Sequence, residues 1–458
     1  MRIGIFTDTY APQINGVVTS IQLMDKVLRD HGHQTFIFTL KHPRAEPTSD
    51  PDHVFRVPSV RFYGNSDHRV GLIYSRSAME QARSLELDVI HSHAPFSLGV
   101  FGHISARRLC LPEVHTYHTM LEDYTHYVSR QKITNEAARR VARRYSRIFC
   151  NWSTTIIVPT TKVKQALLDY GVTRPIFVLP TGVDLERFRP LASEHERNQQ
   201  RRRLGLGFDG PLLVFVGRLA KEKSIDTLIK YHTQVIEAYP NCHLVIVGDG
   251  DERQHLQSYA QRLGLARSVH FVGAKSGNEL PLYYQIADVF VIASRSETQG
   301  LVVPEALACG VPVLAANDPA FHNLVVPGRT GYLFADSRQY VDHLQQLLEA
   351  GGAANFGSAA RMSVETLSTG EFYRQLVHVY EEAIRIGPRK PNRYRSSVLE
   401  VLRRRRRSDP DSRICNPGWG LIFVGLVCWL LKIRSATQSG PLLKVARRLK
   451  ITQGLVNL

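Results

Sequence analysis

Residues 287–310 read "ADVFVIASRSETQGLVVPEALACG". The first eight, "ADVFVIAS", combine apolar β-formers with no polar alternation, the pattern of a parallel strand buried on both faces. The last six, "EALACG", read as a helix stopped by Gly310. Glu297 therefore falls on a strand-to-helix loop, and Glu305 about one turn inside the helix. A buried strand that delivers an acidic, glycine-bearing loop into a helix start belongs to an open α/β fold. Ligands of such folds collect beyond the carboxyl ends of the strands.

Working outward, the same alternation recurs. "RIGIFT", "QTFIFTL", "DVIHSH", "EVHTYHT" and "TTIIVPT" are strand candidates separated by helical stretches. "PLLVFVGRL", "CHLVIVGDG", "SVHFVG" and "ADVFVIAS" make a second series. The polar run "ASEHERNQQRRR" at 192–203 stands between them and reads as a boundary stretch. The expected class is α/β, with two Rossmann-like domains. Residues 1–190 would form the first and 206–387 the second, its last helix (366–386) packing back on the first. Gly387-Pro388 ends that helix, and 388–458 is a basic and hydrophobic tail.

Composition narrows the function. Of the net charge of +17, residues 388–458 carry +13, from sixteen Lys/Arg against three Asp/Glu, which leaves +4 on residues 1–387. The basic character thus belongs to the tail and points to an anionic partner, either nucleic acid or a membrane surface. The six cysteines are scattered, with no CxxC pair, which fits a reducing compartment and argues against a disulfide framework or a zinc module. The start, "MRIGIFTDTYAP", is too short an apolar run for a secretory signal.

The marked residues after the second-series strands suit a diphosphate flanked by sugars. Arg218 offers a planar fork and Lys223 a point charge. The amides of Gly300, Leu301 and Val302 would open a helix, where free N–H groups and the positive dipole end favour an anion. A carboxylate accepts two hydrogen bonds and matches a vicinal diol. Glu297 would hold the hydroxyls of a sugar and Glu305 those of a ribose. The plainer alternative, two surface acids near a helix start, leaves Arg218, Lys223 and the Gly300 turn unexplained. "VGDGDER" at 247–253 is a poor dinucleotide fingerprint, because Arg253 stands at the third glycine position.

With these residues in place, the chain resembles the family 4 glycosyltransferases of the GT-B type, two Rossmann-like domains facing a cleft. The resemblance covers residues 1 to about 386 and rests on "FTDTYAPQINGV", "VHTYHT", "LPTGVDLERF", "VGRLAKEKSID" and "SETQGLVVPEALACGVPV". It implies that Arg218, Lys223 and the Gly300–Val302 amides bind the donor diphosphate, with Gly16 of "INGV" set against it. It further implies Glu297 on the transferred sugar, Glu305 on the ribose, and His118 at the sugar and acceptor end. His118, Glu297, Arg218 and Lys223 would be the catalytic group.

"TDTYAPQINGVVTSI", "HSHAPFSLG" and "YHTMLEDYTHYV" are similar to the bacterial 1,2-diacylglycerol 3-glucosyltransferases. Ala94-Pro95 stand where that group usually carries an acidic residue. The implied reaction is a retaining transfer of a hexose, glucose by this resemblance, from a UDP-sugar to diacylglycerol or a glycosyl-diacylglycerol. The resemblance implies no required cofactor, with Mg²⁺ as a stimulant rather than a protein-held ligand. A GDP-mannose-dependent transferase acting on a phosphoinositide or a polysaccharide or lipid-linked acceptor is the alternative. A nucleotide-sugar epimerase and a non-enzymatic sugar-nucleotide sensor are more distant rivals. His91, His93, His115 and His118 have zinc-like spacing, but they lie at strand ends of separate units with no cysteine partner. Polar residues lining a cleft is the better reading, with His118 the foremost of them and His115 structural.

A lipid acceptor calls for a membrane surface. In "NEAARRVARRYSRIFCNW", Arg139, Arg143 and Arg147 recur at helical spacing with Arg140 and Arg144 beside them, suited to anionic headgroups. Asp123 and Tyr124 are placed near the acceptor. Arg403–Arg407 are polybasic. The fourteen uncharged residues Gly418–Leu431 would make a helix of about 21 Å, short of the ~30 Å hydrocarbon core. Trp419 and Trp429 suit an interface. The tail lacks the spaced aromatics of a nucleic-acid stacking surface. The expectation is a peripheral or monotopic protein on the cytoplasmic face of the cell membrane, without a nucleic-acid partner.

Overall fold

The computed structural model describes residues 1–43, 45, 50–61, 69–71, 73–123 and 132–389. The apolar runs of the first half form β1 (Arg2–Phe6), β2 (Gln34–Leu40), β3 (Val54–Val57), β4 (Ser59–Arg61), β5 (Arg69–Gly71), β6 (Val89–Ser92), β7 (Glu113–Thr116), β8 (Thr155–Val158) and β9 (Ile176–Val178). Those of the second half form β10 (Leu212–Val216), β11 (His243–Val247), β12 (Val269–Gly273), β13 (Val289–Ile292), β14 (Val313–Ala316) and β15 (Gly331–Phe334). Among the described residues these make a seven-stranded parallel sheet, β3-β2-β1-β6-β7-β8-β9, and a six-stranded parallel sheet, β12-β11-β10-β13-β14-β15. β4 and β5 pair separately as an antiparallel ribbon.

The connecting helices are α1 (Gly16–Asp30), α2 (Arg76–Ser84), α3 (Ser97–Leu109), α4 (Lys132–Cys150), α5 (Thr161–Asp169), α6 (Glu194–Arg203) and α7 (Ile225–Ala238). They continue as α8 (Arg253–Arg262), α9 (Leu280–Gln285), α10 (Val302–Ala308), α11 (Ser337–Glu349), α12 (Ala353–Ser363) and α13 (Thr369–Ile386). By contacts the chain separates into two units. Met1–Met120 with Ser146–Arg389 forms one and holds both sheets; Leu121–Tyr145 with Lys390–Leu458 forms the other.

Both sheets are doubly wound. The winding reverses between β1 and β6 in the first and between β10 and β13 in the second. A crevice opens at such a reversal because the flanking loops leave on opposite faces. Every residue of β6, β7, β8, β10, β13 and β14 is buried, as parallel strands covered on both faces require. Sequence reading missed β3, β9, β14 and β15, which are only three or four residues long.

α13, the last described helix, turns a stripe of Phe372, Leu376, Val379, Tyr380 and Ala383 toward β1 and α1 in the first domain's core, alongside Ile3, Ile5, Ile21 and Met24. Its apolar spacing follows the helical period, so one face is buried along its length. The polar run at 192–203 is more than a boundary stretch. It contains α6, and Arg201, 7 % exposed, donates to the Ile286 carbonyl at 2.7 Å and to Asp288 at 2.9 Å. No apolar stripe marks this helix, because an arginine rather than a hydrocarbon face fastens it to the second domain.

Candidate active site

The loops that leave β10 and β13 flank the reversal point of the second sheet. After β10, Gly217 adopts φ +158°, and a short 3-10 turn over Lys221–Lys223 leads into α7. Gly248 and Gly250, the partial dinucleotide fingerprint, serve this loop. A Cβ on Gly248 would come within 1.8 Å of the Gly217 carbonyl oxygen, and one on Gly250 within 2.4 Å of that of Leu219. Their glycines permit backbone to pass against backbone.

After β13 comes Glu297, 7 % exposed. Lys223 Nζ donates to its Oε1 at 2.5 Å. Burial would raise this carboxyl, but the Lys223 ammonium and its hydrogen bond, the Ser294 hydroxyl and Lys162 outweigh burial and hold it below its usual value. Gly300, at φ +67°, then turns the chain into α10, and a Cβ there would stand 2.6 Å from Phe321. The N–H groups of Gly300, Leu301 and Val302 meet no acceptor among the described residues. Arg218 pairs with Glu222 at 2.5 Å and keeps 43 % of its side chain exposed.

Glu305 lies on α10, 8 % exposed, and accepts a hydrogen bond from Tyr284 at 2.7 Å. Burial pushes its carboxyl up to about 7, against the opposing effects of the Tyr284 hydroxyl and Arg187. Gly16 is the first residue of α1, whose start is capped by Asn15 accepting from Val17 and Val18. A Cβ on Gly16 would stand 3.6 Å from the Leu301 side chain. The starts of α1 and α10 thus face each other, with the Gly16 backbone bare toward Leu301.

His118 follows β7. Its Nε2 lies 2.9 Å from His93 Nδ1, and its carbonyl accepts from the Thr298 hydroxyl at 2.8 Å. Burial lowers the His118 imidazole to about 4. His93 lies against His91 with the rings tilted by 34°, and His91 Nδ1 and Nε2 meet Tyr380 at 2.8 Å and Thr116 at 2.6 Å. Burial, with the neighbouring histidines, also holds His91 and His93 well below their usual value. These rings are therefore neutral polar linkers running from the cleft to α13. His115, lowered by burial to about 3, hydrogen-bonds Ser92 and sits within the sheet.

The structure brings Gly16, Lys223, Glu297, Leu301 and the His118 carbonyl into one neighbourhood. Sequence reading missed three groups there. Lys162, in the first turn of α5, reaches both the Glu297 carbonyl at 3.0 Å and Asp318 at 2.7 Å. Gln299 exchanges hydrogen bonds with the Thr181 backbone at 3.0 and 2.9 Å. Tyr284 on α9 holds Glu305. Each contact joins residues more than twenty positions apart in the chain, so local pattern carries little sign of it.

The arginines of the basic helix differ in their partners, and Arg139 and Arg143 keep 39% and 41% of their side chains exposed. Arg143 pairs with Glu122, and Arg139 lies 3.9 Å from Asp123, so both turn toward neighbouring acids. The exposed row on α4 is Arg140, Arg144 and Arg147. Tyr124, Trp419, Trp429, Arg403–Arg407 and the rest of the tail from residue 390 lie outside the described residues. Among the described residues no helix is long and apolar enough to cross a membrane.

The family model "Glycosyltransferase Family 4" matches residues 14–187, and "Glycosyl transferases group 1" matches 196–363. An alpha-monoglucosyldiacylglycerol synthase of Streptococcus pneumoniae is 34% identical over 84% of this chain and 86% of its own length. The chain is a family 4 glycosyltransferase. Another alpha-monoglucosyldiacylglycerol synthase, from Acholeplasma laidlawii, is 33% identical to this glycosyltransferase over 75% of the chain and 87% of its own length. A GDP-mannose-dependent alpha-mannosyltransferase of Mycobacterium tuberculosis is 35% identical over 73% of the chain and 83% of its own length. Among solved structures, Anabaena HepE in complex with UDP-glucose superposes with a TM-score of 0.67 at 20% identity, covering 83% of this chain and 100% of that one. Sucrose-phosphate synthase from Thermosynechococcus elongatus gives 0.66 at 23%, covering 83% and 98%. The fold of this glycosyltransferase is GT-B.

Proposed function

We propose that this glycosyltransferase moves a hexose, glucose in the first instance, from a UDP-sugar to diacylglycerol or a glycosyl-diacylglycerol, with retention at the anomeric carbon. The observation that carries the reading is the buried Lys223–Glu297 pair beside the open start of α10 and the bare backbone of Gly16. The reading also draws support from the two alpha-monoglucosyldiacylglycerol synthases among its relatives.

Lys223, Arg218 and the Gly300–Val302 amides receive the diphosphate. Each phosphate oxygen that engages Lys223 competes with Glu297 for it and frees the Glu297 carboxylate for the sugar hydroxyls. Glu305 takes the ribose diol. The bond between the anomeric carbon and the diphosphate oxygen breaks, and the acceptor hydroxyl forms the new bond on the same face. Its proton passes to a departing diphosphate oxygen. The chain then needs no nucleophile of its own and acts by positioning and by stabilising the leaving charge. His118, neutral at physiological pH, serves as a hydrogen-bonding group at the sugar end. Positive charge for the leaving group comes from protein side chains, so no bound metal is required, and added Mg²⁺ stimulates only modestly.

The working place is the cytoplasmic face of the cell membrane, held peripherally or monotopically. The exposed Arg140, Arg144 and Arg147 and the basic composition of 388–458 support contact with anionic lipid. A second reading, transfer of mannose from GDP-mannose, is favoured by the 35% identity to the mycobacterial mannosyltransferase.

The test supplies purified protein with radiolabelled UDP-glucose or GDP-mannose and mixed micelles of diacylglycerol, with and without an anionic lipid. Labelled glycolipid from UDP-glucose, increased by anionic lipid, supports the reading. Product from GDP-mannose alone replaces the donor. No glycolipid from either donor overturns the acceptor class.

A further inference from the structure

Two different domains hold the loop that carries Glu297. Its side chain is held from its own domain by Lys223. Its backbone is held from the opposite domain, residue by residue. Lys162 donates to the Glu297 carbonyl at 3.0 Å, Thr160 to the Thr298 carbonyl at 2.9 Å, and Thr298 to the His118 carbonyl at 2.8 Å. Gln299 closes a reciprocal pair with the Thr181 backbone. Lys162 adds an anchor beyond the loop, bonding both oxygens of Asp318 at 2.7 and 2.8 Å. Asp318 is 2% exposed and also accepts from the Ala320 amide at 2.8 Å.

The bonds that Lys162, Thr160, Thr181 and the His118 carbonyl make to the second domain do not survive separation of the two domains. Parting them would leave a buried carboxylate without its cation and set the Glu297–Gln299 backbone free. We infer that Lys162 is a positioning residue that couples closure of the two domains to the placing of Glu297, so that the donor sugar is gripped for reaction only in the closed form. This rests on the reading above that Glu297 holds the transferred sugar. It adds that nucleotide binding draws mainly on second-domain groups, whereas the chemical step requires closure.

The experiment compares wild type with Lys162→Met, Lys162→Arg, Lys162→Met/Asp318→Asn and Gln299→Glu. UDP-glucose hydrolysis without acceptor, glycolipid transfer, UDP affinity by calorimetry, melting temperature and the radius of gyration by X-ray scattering are measured on each. For Lys162→Met, kcat is expected to fall about tenfold or more, with KM and UDP affinity within about threefold and a larger radius of gyration, the signature of a depleted competent state. Gln299→Glu sets a carboxylate against the Thr181 carbonyl and has the same signature. Lys162→Arg, which can still span the two acceptors, retains most of kcat. The double variant, relieved of the lone buried charge, regains melting temperature but not kcat.

Recovery of kcat together with melting temperature in the double variant overturns the inference, because Lys162 would then only neutralise Asp318. Unchanged kcat in Lys162→Met also overturns it. Should wild type neither hydrolyse nor transfer from either donor nucleotide, the functional reading fails separately. The scattering measurement then decides the latch, and an unchanged radius in Lys162→Met rejects it.

Discussion

Lys223 Nζ lies 2.5 Å from Glu297 Oε1, and the two residues come from loops that follow neighbouring strands of one sheet. Glu297 is buried and charged, and this cation keeps it so. Glu297→Ala removes the proposed sugar contact without touching a core residue. Transfer is expected to fall by about 10²–10³ or more, with the melting temperature little changed. Lys223→Met strips the carboxylate of its partner and leaves it buried, so it loses transfer and stability together. Steady-state rates paired with calorimetry on both variants check this; wild-type turnover in Glu297→Ala would remove the residue from the site.

Glu305 gives a pH signature. Its carboxyl is raised to about 7 in the folded, ligand-free protein, above the ordinary 4.5. The stability it contributes is present below about pH 4.5 and is lost as pH rises through 7, on the order of 3 kcal/mol in full. The depressed buried histidines act in the opposite sense, so the comparison is between variants. Glu305→Gln should gain melting temperature over wild type increasingly from pH 5 to pH 8. A ribose diol favours the ionised form, so UDP affinity of wild type should tighten from pH 6 to pH 8, and that slope should vanish in Glu305→Gln. Titration calorimetry at several pH values measures both.

His118 is lowered to about 4, so it stays neutral across the working range. The acid limb of transfer is therefore expected to show no titration near pH 6.5 assignable to His118. His118→Gln should lower the rate without moving that limb. Stability from this ring is present above about pH 6.5 and is lost as pH falls toward 4. A rate profile from pH 5 to pH 8 for both proteins is the check.

Gly300→Ala is expected to cost about 1–3 kcal/mol from its left-handed backbone alone. The added Cβ also meets Phe321 at 2.6 Å, displacing the start of α10. Transfer should fall more steeply than stability, since the amides of this turn face the proposed diphosphate. Denaturant melts and single-turnover rates separate the two effects.

Tyr380→Phe tests the fastening of α13. It deprives His91 Nδ1 of its partner in a buried site, at a cost of about 1–3 kcal/mol. Chemical denaturation should register that loss, while UDP affinity, which depends on the other domain, should hold.

Much of this was present in the sequence. Apolar runs without alternation give parallel strands wherever both faces are covered, so β1, β2, β6, β7, β8 and β10–β13 were legible. Glu297, Glu305, Lys223 and Gly300 were legible as candidates, because charge beside a glycine turn at a strand end stands out, and the structure places Lys223 on Glu297 and Gly300 at the start of α10. The three- and four-residue strands β3, β9, β14 and β15 were not, since their pairing depends on neighbours rather than on their own length.

The sequence by itself determined the two-domain alternation, the candidate residues at the strand ends and the concentration of excess basic charge in the tail. Only the tertiary structure decided which groups meet across the cleft. Lys162 reaches Asp318 over 156 positions and Gln299 reaches Thr181 over 118. It also decided that Arg139 and Arg143 lie beside Asp123 and Glu122. Local propensity acts over a turn or a strand pair. Hydrogen bonds and ion pairs between domains depend on where closure of the whole fold brings side chains that are far apart in the chain.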